Sequence, residues 1–304
     1  MRIFQCATPC ALLLFHAGLI GATECQRTPA EERPTIGLAL GGGGARGYAH
    51  IGVLQRLHEL RVPVDYVAGT SIGSVVGGLV ATGRDPETIS SIAAAMDWAA
   101  LFEDSTERQA LPFRRKQDDA LALVKPKLGL GKDASLLPRG AISGQKIAYL
   151  FESLLNETRI TRDFDGLPIP FRAVAAELSS GDQVVLSSGS LGMAMRASMA
   201  VPAVFEPVRI DGKELIDGGI ANNLPISVTR EMGADVVIAV NVGSGYLDQS
   251  EISDVLSVAE QLTNILVERT TREQKKLLTA RDILIEPPLG TKVTAADFDS
   301  MDEG

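Results

Sequence analysis

Cysteine is scarce in this sequence and absent from most of its length. The three cysteines among the 304 residues are Cys6, Cys10 and Cys25, all near the N-terminus. No disulfide and no cysteine-ligated zinc can therefore lie in the body of the protein. That body also contains only two of the three histidines, His50 and His58. So small a set of ligands predicts a protein without a bound metal or cofactor.

Basic residues are in the minority. The chain has 29 lysines and arginines against 38 aspartates and glutamates, which gives a net charge of −9. A protein without a broad basic surface cannot release the counterions that drive binding to DNA or RNA. This balance excludes a nucleic-acid partner. The one local exception is the basic cluster Arg114-Arg115-Lys116.

The N-terminus carries the only stretch that suggests a membrane segment, and this stretch is too short to cross a bilayer. Its apolar run, Ala11–Ile20, has the length of a signal-peptide core, with Met1-Arg2 before it and small residues after it. We therefore expect a signal peptide over residues 1–23, cleaved near Ala22-Thr23, and export to the periplasm, the cell surface or the medium. A disordered tail or a misassigned start codon is the alternative.

Strands and helices alternate in the first part of the chain. An apolar strand over 35–40 precedes a helical pattern over 45–60, and a strand over 64–68 precedes a second helix over 71–81. This order with short links predicts an α/β fold with a mainly parallel central sheet flanked by helices. Later helices are expected over 145–155, 225–232 and 252–266, strands over 171–177, 183–186, 236–242 and 282–285, and a hairpin over 208–216.

One domain is expected over residues 35–304, after a polar linker over 24–34. Within the domain, residues 97–140 lose regular periodicity and gain charge, proline and glycine, and we interpret them as a lid-like excursion over the functional site. Apolar side chains lie there beside the basic cluster, a combination that suits an anionic lipid surface. An ordinary packed excursion is the alternative. The apolar residues are Trp98, Leu101, Phe102 and Phe113.

A run of glycines follows the first strand, in Gly41-Gly42-Gly43-Gly44-Ala45-Arg46-Gly47. Such a backbone can point several N–H groups at one negative oxygen. The run also fits G-x-G-x-x-G, but a dinucleotide site needs an acidic residue at the end of the second strand. Asp65 opens that strand instead, so no nucleotide is expected. A tight structural turn is the remaining alternative.

A serine lies on a glycine-flanked turn in Gly69-Thr70-Ser71-Ile72-Gly73. A strand precedes it and a helix follows it, which is the context that a nucleophilic serine in a G-x-S-x-G turn requires. With the glycine run it would supply a nucleophile and an oxyanion hole, the minimum for acyl transfer. No histidine follows Ser71, so the Ser…Asp…His order of α/β-hydrolases is impossible.

The base that would activate Ser71 has few candidates. His50 lies on the first helix, where a packed or capping role is the favoured interpretation. Asp217 lies in Ile216-Asp217-Gly218-Gly219, just before Asn222-Asn223, and glycine neighbours would let another group approach its carboxylate. Alternatively, Asp217 is a turn residue that makes local hydrogen bonds to its own backbone, as is common for Asp-Gly. The residues alone leave these two roles of Asp217 open.

Several motifs occur together in one order along the chain. They are G-G-G-x-R-G at 42–47, G-x-S-x-G at 69–73, D-G-G at 217–219 and the stretch 196–205. With these motifs, over about residues 35–242, the sequence resembles the patatin-like phospholipase family. The resemblance implies a three-layer α/β/α fold and a lipid acyl hydrolase that cleaves glycerophospholipids at a membrane surface, of phospholipase A or lysophospholipase type.

The resemblance also implies roles for individual residues. Ser71 would attack the acyl carbonyl and Asp217 would accept its proton, as a dyad without histidine. Backbone N–H groups would form the oxyanion hole, at Gly42, Gly43 and Gly44. Ser198, which lacks a glycine turn, would be structural. The supporting motif positions are Arg46, Gly47, Gly69, Gly73, Gly218 and Gly219.

Other functions remain as alternatives at this stage. A general carboxylesterase is the nearest one, and a nucleotide-binding protein or a membrane-binding module with a decayed site is more distant. A homo-oligomer is compatible with each. A narrower resemblance, based on the signal-like start and residues 111–119 and 295–298, is to bacterial patatin domains carried by outer-membrane autotransporters.

Overall fold

A mixed sheet of eight strands forms the centre of the domain. The computed structural model describes residues 33–102, 140, 142–155, 162–250, 252–289, 294–295 and 297–298. The strands are β1 Ile36–Leu40, β2 Tyr66–Thr70, β3 Phe171–Glu177, β4 Gln183–Leu186, β5 Val208–Ile210, β6 Lys213–Asp217, β7 Val236–Val240 and β8 Ile283–Ile285. Strands β8, β7, β1, β2 and β3 lie side by side and parallel, while β4, β5 and β6 pair antiparallel. The predicted, mainly parallel α/β sheet is confirmed.

Helices cover both faces of the sheet and give three layers. They are α1 Ala49–Glu59, α2 Ile72–Ala81, α3 Pro86–Ala95, α4 Trp98–Phe102, α5 Gln145–Leu154, α6 Leu191–Ser198, α7 Gly219–Asn222, α8 Ile226–Glu231 and α9 Val255–Lys275. Successive residues of β1 point to opposite faces. Leu38 and Leu40 are buried in the large core with α1, α2, α3, α5 and α6, whereas Ala39 is buried in a smaller core with Ile226 of α8.

The central strands are apolar along their whole length because both of their faces are covered. β1 reads IGLAL and β7 reads VVIAV, and all but the first residue of each is buried. Continuous apolar runs are typical of parallel strands buried on both sides. These strands fix the edge of the sheet from which the loops described below emerge.

Several predicted elements have different ends in the structure. The second strand, expected over 64–68, occupies 66–70, and the strand expected over 236–242 ends at Val240. The first helix was expected to begin at residue 45, but residues 44–48 form a 3-10 helix before α1. Gly44 has a φ of 58°, and the Arg46 N–H bonds the Gly43 carbonyl at 3.3 Å, so the chain winds more tightly there.

Some predictions fall on parts of the chain outside the described residues. These include the signal peptide over 1–23, nearly all of the linker over 24–34, the basic cluster at 114–116 and most of the excursion over 97–140. The described start of that excursion is α4, whose buried Trp98 stacks on Phe298 with a centroid separation of 4.5 Å. Export and a lipid-facing lid stay predictions. Among the described helices, none combines the length and apolarity needed to cross a bilayer.

Candidate active site

Two strands end against each other along one edge of β3. Strand β4 lines the other edge, so β2, which pairs with residues 171–174, and β6, which pairs with residues 175–177, must share this one. Strand β2 is parallel to β3 and β6 is antiparallel, so their C-terminal ends meet head to head. Ser71 directly follows β2 and Asp217 is the last residue of β6. The sheet topology therefore brings Ser71 and Asp217 together.

Ser71 lies on a sharp turn between β2 and α2. Its φ of 54° and ψ of −126° lie outside the regions that non-glycine residues favour, as is common at functional sites. The turn is tight because Gly69 and Gly73 touch. A β-carbon at Gly69 would lie 2.3 Å from the Gly73 carbonyl oxygen. The Ser71 side chain is thus held at the N-terminus of α2, where the helix dipole favours negative charge.

The carboxylate of Asp217 accepts a hydrogen bond from the Ser71 hydroxyl. The distance from Ser71 Oγ to Asp217 Oδ2 is 2.6 Å, and the Gly219 N–H donates to Oδ1 at 2.8 Å. Both side chains are buried. Burial raises the pKa of Asp217 to about 6, although the hydrogen bonds from Ser71 and Gly219 act in the opposite direction. The group is thus ionised at neutral pH but is a stronger base than an exposed carboxylate.

Ser198 joins the turn of Ser71 to the turn of Asp217. The Ser71 N–H donates to Ser198 Oγ at 2.9 Å, and the Gly218 N–H donates to the Ser198 carbonyl at 3.1 Å. The Ser198 hydroxyl donates its single proton to the Val174 carbonyl of β3. Ser198 is fully buried, and its hydroxyl is committed to the backbone rather than presented to a substrate.

The three glycines expected to form an oxyanion hole differ in whether their N–H groups are free. Gly42 donates its N–H to the Asn223 carbonyl at 3.2 Å, so this group is already engaged. Within the described residues, the N–H groups of Gly43 and Gly44 donate no hydrogen bond. A β-carbon at Gly42 would lie 3.0 Å from Ser71 Cβ, so the loop passes directly beside Ser71. Among the described residues, Gly43 and Gly44 therefore keep N–H groups without an acceptor, and Gly42 does not.

The remaining motif residues support this arrangement. The buried Arg46 donates from Nε to the Val242 carbonyl at 3.0 Å, which ties the glycine loop to the segment after β7. Gly47 allows the loop to pack on Ile72, where a β-carbon would lie 2.4 Å from Cγ2. A β-carbon at Gly218 would lie 2.1 Å from the Val174 carbonyl oxygen. These positions need glycine because backbone or side chains approach them closely.

His50 is buried and committed to the glycine loop. Its Nε2 lies 2.8 Å from the Gly41 carbonyl oxygen. A carbonyl only accepts, so Nε2 carries the proton and Nδ1 is left as an acceptor, which has no partner among the described residues. Burial lowers the pKa of His50 to about 4, against the effect of the hydrogen bond to Gly41. His58 is exposed on α1.

The geometry adds no support for the alternative of a nucleotide site. Asp65 precedes β2 and accepts a hydrogen bond from the Ile36 N–H at 2.8 Å, at the opposite end of the strand from the glycine loop. In the part of the chain that the structure describes, no three histidine, cysteine or acidic side chains are grouped so that they could hold a metal ion.

Two contributors to the site were not identified from the sequence. Asn223 bonds both polar groups of Gly42, through its own carbonyl and its side-chain amide. The Ala295 carbonyl accepts the Ala45 N–H at 2.8 Å, which brings a C-terminal segment against the glycine loop. The asparagine pair after the D-G-G motif was a signal for Asn223, whereas a backbone carbonyl leaves no signature in a sequence.

Comparison with known proteins identifies the family. Residues 38–230 match the patatin-like phospholipase family. An uncharacterized NTE family protein of Mycobacterium bovis is 33% identical over 263 residues, which is 86% of this chain and 64% of that protein. Human patatin-like phospholipase domain-containing protein 6 is 35% identical over 226 residues, covering 73% of this chain and 14% of that protein. The chain belongs to the patatin-like phospholipase family.

Solved structures and the lengths of the relatives complete the comparison. VipD from Legionella pneumophila is 18% identical with a TM-score of 0.42, and the match covers 71% of this chain and 51% of that one. The chain spans 64% of the mycobacterial relative and a much smaller part of the human one. Family membership supports hydrolysis of lipids. The resemblance to autotransporter domains is not tested by these relatives.

Proposed function

We propose that the protein is a lipid acyl hydrolase of phospholipase A or lysophospholipase type, with Ser71 as nucleophile and Asp217 as general base. The observation that carries this proposal is the 2.6 Å hydrogen bond between Ser71 Oγ and Asp217 Oδ2 in a buried site. A carboxylate within hydrogen-bond reach of a serine hydroxyl can take its proton as the hydroxyl attacks. The free N–H groups of Gly43 and Gly44 support a role as oxyanion donors.

The reaction follows from these positions in two halves. Ser71 Oγ bonds to the ester carbonyl carbon while its proton passes to Asp217, and the carbonyl oxygen becomes an oxyanion. The intermediate collapses, the C–O bond to the alcohol breaks, and Asp217 returns the proton to the departing alcohol. The acyl group is left on Ser71. Water then attacks this ester with Asp217 as base, and the fatty acid leaves as Ser71 regains its proton.

The lipid substrate distinguishes this proposal from a general carboxylesterase. Family membership supports a lipid, while the dyad itself would serve any accessible ester. We expect the protein to hydrolyse phosphatidylcholine and lysophosphatidylcholine in vesicles, with the release of free fatty acid. Turnover of short soluble esters alone, with none of vesicle lipids, would favour the carboxylesterase.

A fluorophosphonate probe tests the nucleophile together with the enzyme class. The wild type should become covalently labelled and lose activity, whereas Ser71→Ala should neither label nor hydrolyse lipid. Ser91→Ala is a matched control, because Ser91 is an exposed residue of α3 whose hydroxyl donates a hydrogen bond to the Glu87 carbonyl. Labelling of Ser71→Ala at the wild-type rate would show that another residue is the nucleophile.

A further inference from the structure

One buried residue bonds the peptide groups on both sides of Gly42, one through its backbone carbonyl and the other through its side-chain amide. Asn223 accepts the Gly42 N–H on its carbonyl oxygen at 3.2 Å and donates from Nδ2 to the Gly42 carbonyl at 3.3 Å. Asn223 is only 2% exposed. It therefore holds the peptide groups on both sides of Gly42.

The consequence lies in the next peptide unit. In a trans peptide the C=O and the N–H point in opposite directions. When the Gly42 carbonyl is turned toward Asn223, the N–H of Gly43 must point away from it. The Gly43 carbonyl is held in the same way by the Arg46 N–H at 3.3 Å, which directs the Gly44 N–H. Each bound carbonyl thus turns the following N–H group away from the residue that binds it.

Asn223 is itself fixed to the segment that carries Asp217. Its N–H donates to Thr270 Oγ1 at 3.4 Å, and its Nδ2 also donates to Thr271 Oγ1 at 3.3 Å, both on α9. The Thr270 hydroxyl reaches the Gly219 carbonyl at 3.0 Å. A β-carbon at Gly219 would lie 3.0 Å from Asn223 Oδ1. The turn after Asp217 and the glycine loop are therefore both linked to α9, the first through Thr270 and the second through Asn223.

We propose that Asn223 is a positioning residue whose side chain fixes the N–H of Gly43 as an oxyanion donor of the reaction, while its backbone carbonyl occupies the N–H of Gly42. This inference rests on the proposed hydrolase function and adds a residue to it. Asn223 does not touch the substrate. It acts through the orientation of the Gly42–Gly43 peptide, and its loss lowers stabilisation of the transition state without removing the nucleophile or the base.

The neighbouring Asn222 provides a matched control. Asn222 is the last residue of α7 and directly precedes Asn223. It is 1% exposed, but its Nδ2 donates to Gln183 and Ser227, away from the glycine loop. Asn223→Ala and Asn222→Ala therefore remove the same chemical group from equally buried positions. Any general cost of losing a buried amide appears in both variants, and loss of oxyanion geometry appears only in the first.

The test measures activity per functional site. Each variant is titrated to its endpoint with a fluorophosphonate, and the maximal rate on a soluble ester is divided by the concentration of labelled sites to give kcat per site, while KM is read directly from the saturation curve. We expect Asn223→Ala to lose about 10- to 100-fold in kcat per site with KM within about threefold of wild type. A trifluoromethyl ketone, which forms an oxyanion on the enzyme, should bind weaker by a similar factor. Asn222→Ala should keep wild-type values per site.

Opposite results overturn the inference without touching the proposed function. Wild-type kcat per site and wild-type inhibitor affinity in Asn223→Ala would show that Asn223 is only structural. Asn223→Asp, which keeps the size but replaces the donor with an acceptor, serves as the second variant if the alanine form does not fold. A wild type that neither labels nor turns over ester would instead contradict the proposed function.

Discussion

At the residue scale, the proposed mechanism gives Asp217 the role of proton acceptor that a histidine has in many serine hydrolases. An exposed carboxylate, with a pKa of about 4, is a weak base for a serine hydroxyl. Burial raises the pKa of Asp217 to about 6 and so makes proton acceptance less unfavourable. The rest of the activation barrier must be lowered by the oxyanion donors, whose stabilising effect on the transition state is large in a site that excludes water.

The pH dependence of kcat/KM should report this raised pKa. Asp217 must be ionised to accept the proton, so activity should fall about tenfold per pH unit below a pH of about 6. The measurement is kcat/KM on a soluble ester between about pH 4.5 and 9. His50, with its pKa lowered to about 4, is mostly neutral across this range.

The control for the acidic limb is His50→Gln, since glutamine can still donate to the Gly41 carbonyl. This variant should keep the same limb. Full wild-type activity down to the acidic end of this range would contradict the raised pKa of Asp217, and a limb that vanishes in His50→Gln would assign it to the histidine.

At the scale of elements, local features were predictable and the meeting of distant strands was not. The strand–turn–helix around Ser71 follows from glycine spacing and apolar pattern within about a dozen residues. The encounter with Asp217 depends on β6 reversing direction on the same edge of β3 as β2. Nothing local encodes that choice, because β3 lies a hundred residues beyond β2, and only the family resemblance linked the two motifs.

The supporting contacts were missed for the same reason. Asn223 and Ala295 act through backbone groups of residues far away in the sequence, so no spacing rule connects them with the glycine loop. The bond between the Gly42 N–H and the Asn223 carbonyl was not predictable either, since a glycine run does not reveal which of its N–H groups bonds a neighbouring carbonyl.

The C-terminal segment should stabilise the glycine loop. The Phe298 ring stacks on Trp98 and lies edge-on to Phe102, while its carbonyl accepts the Tyr48 hydroxyl at 2.9 Å. This anchor holds Ala295 against Ala45. We expect Phe298→Ala to lower kcat on a soluble ester about tenfold and to lower the melting temperature by several degrees, because a large packed ring is lost.

Two variants control this prediction. Phe298→Leu keeps most of the packed volume and should retain most activity. Tyr149→Ala removes an aromatic side chain that is 78% exposed and should leave both activity and melting temperature unchanged. Full kcat in Phe298→Ala would show that the glycine loop keeps its geometry without this anchor.

At the scale of the whole molecule, two buried carboxyl groups have opposite effects on stability. Asp282 has a fully buried side chain that accepts two hydrogen bonds from Arg230 at 2.8 and 2.7 Å and one from the Val237 N–H at 2.7 Å. Burial alone would raise its pKa, but hydrogen bonds from Thr279, Val237 and Arg230 outweigh it and lower the pKa to about 2. Asp282 thereby connects α8, β7 and the entry to β8.

Asp282 and Asp217 stabilise the folded state in different pH ranges, because their pKa values shift in opposite directions on folding. Asp282 contributes stability above its unfolded pKa of 3.8, and this is lost as the pH falls through about 2. Asp217 contributes stability below 3.8 that is lost as the pH rises through about 6. At neutral pH the charged form of Asp217 therefore lowers the free energy of unfolding, and this charged form is the one that the proposed mechanism needs as a base.

Replacement of Asp282 should destabilise the fold at neutral pH. We expect Asp282→Asn to lower the melting temperature at pH 7 by roughly 5 °C, and the difference to narrow as the pH falls below about 4. Asp165→Asn is the control, because Asp165 pairs with Arg172 at the surface and such pairs contribute little. Equal melting of Asp282→Asn and wild type at pH 7 would contradict the role of this carboxylate in joining the three elements.

The proposed mechanism depends on a dyad of Ser71 and Asp217 that works without a histidine. The most direct test compares kcat for Ser71→Ala, Asp217→Asn and His50→Gln on one soluble ester, with folding checked by melting temperature. Asp217→Asn keeps the shape of the side chain and removes its charge. We predict a loss of at least ~100-fold for Asp217→Asn and near wild-type kcat for His50→Gln. If His50→Gln is as inactive as Ser71→Ala while Asp217→Asn stays active, the dyad is wrong and His50 is the base.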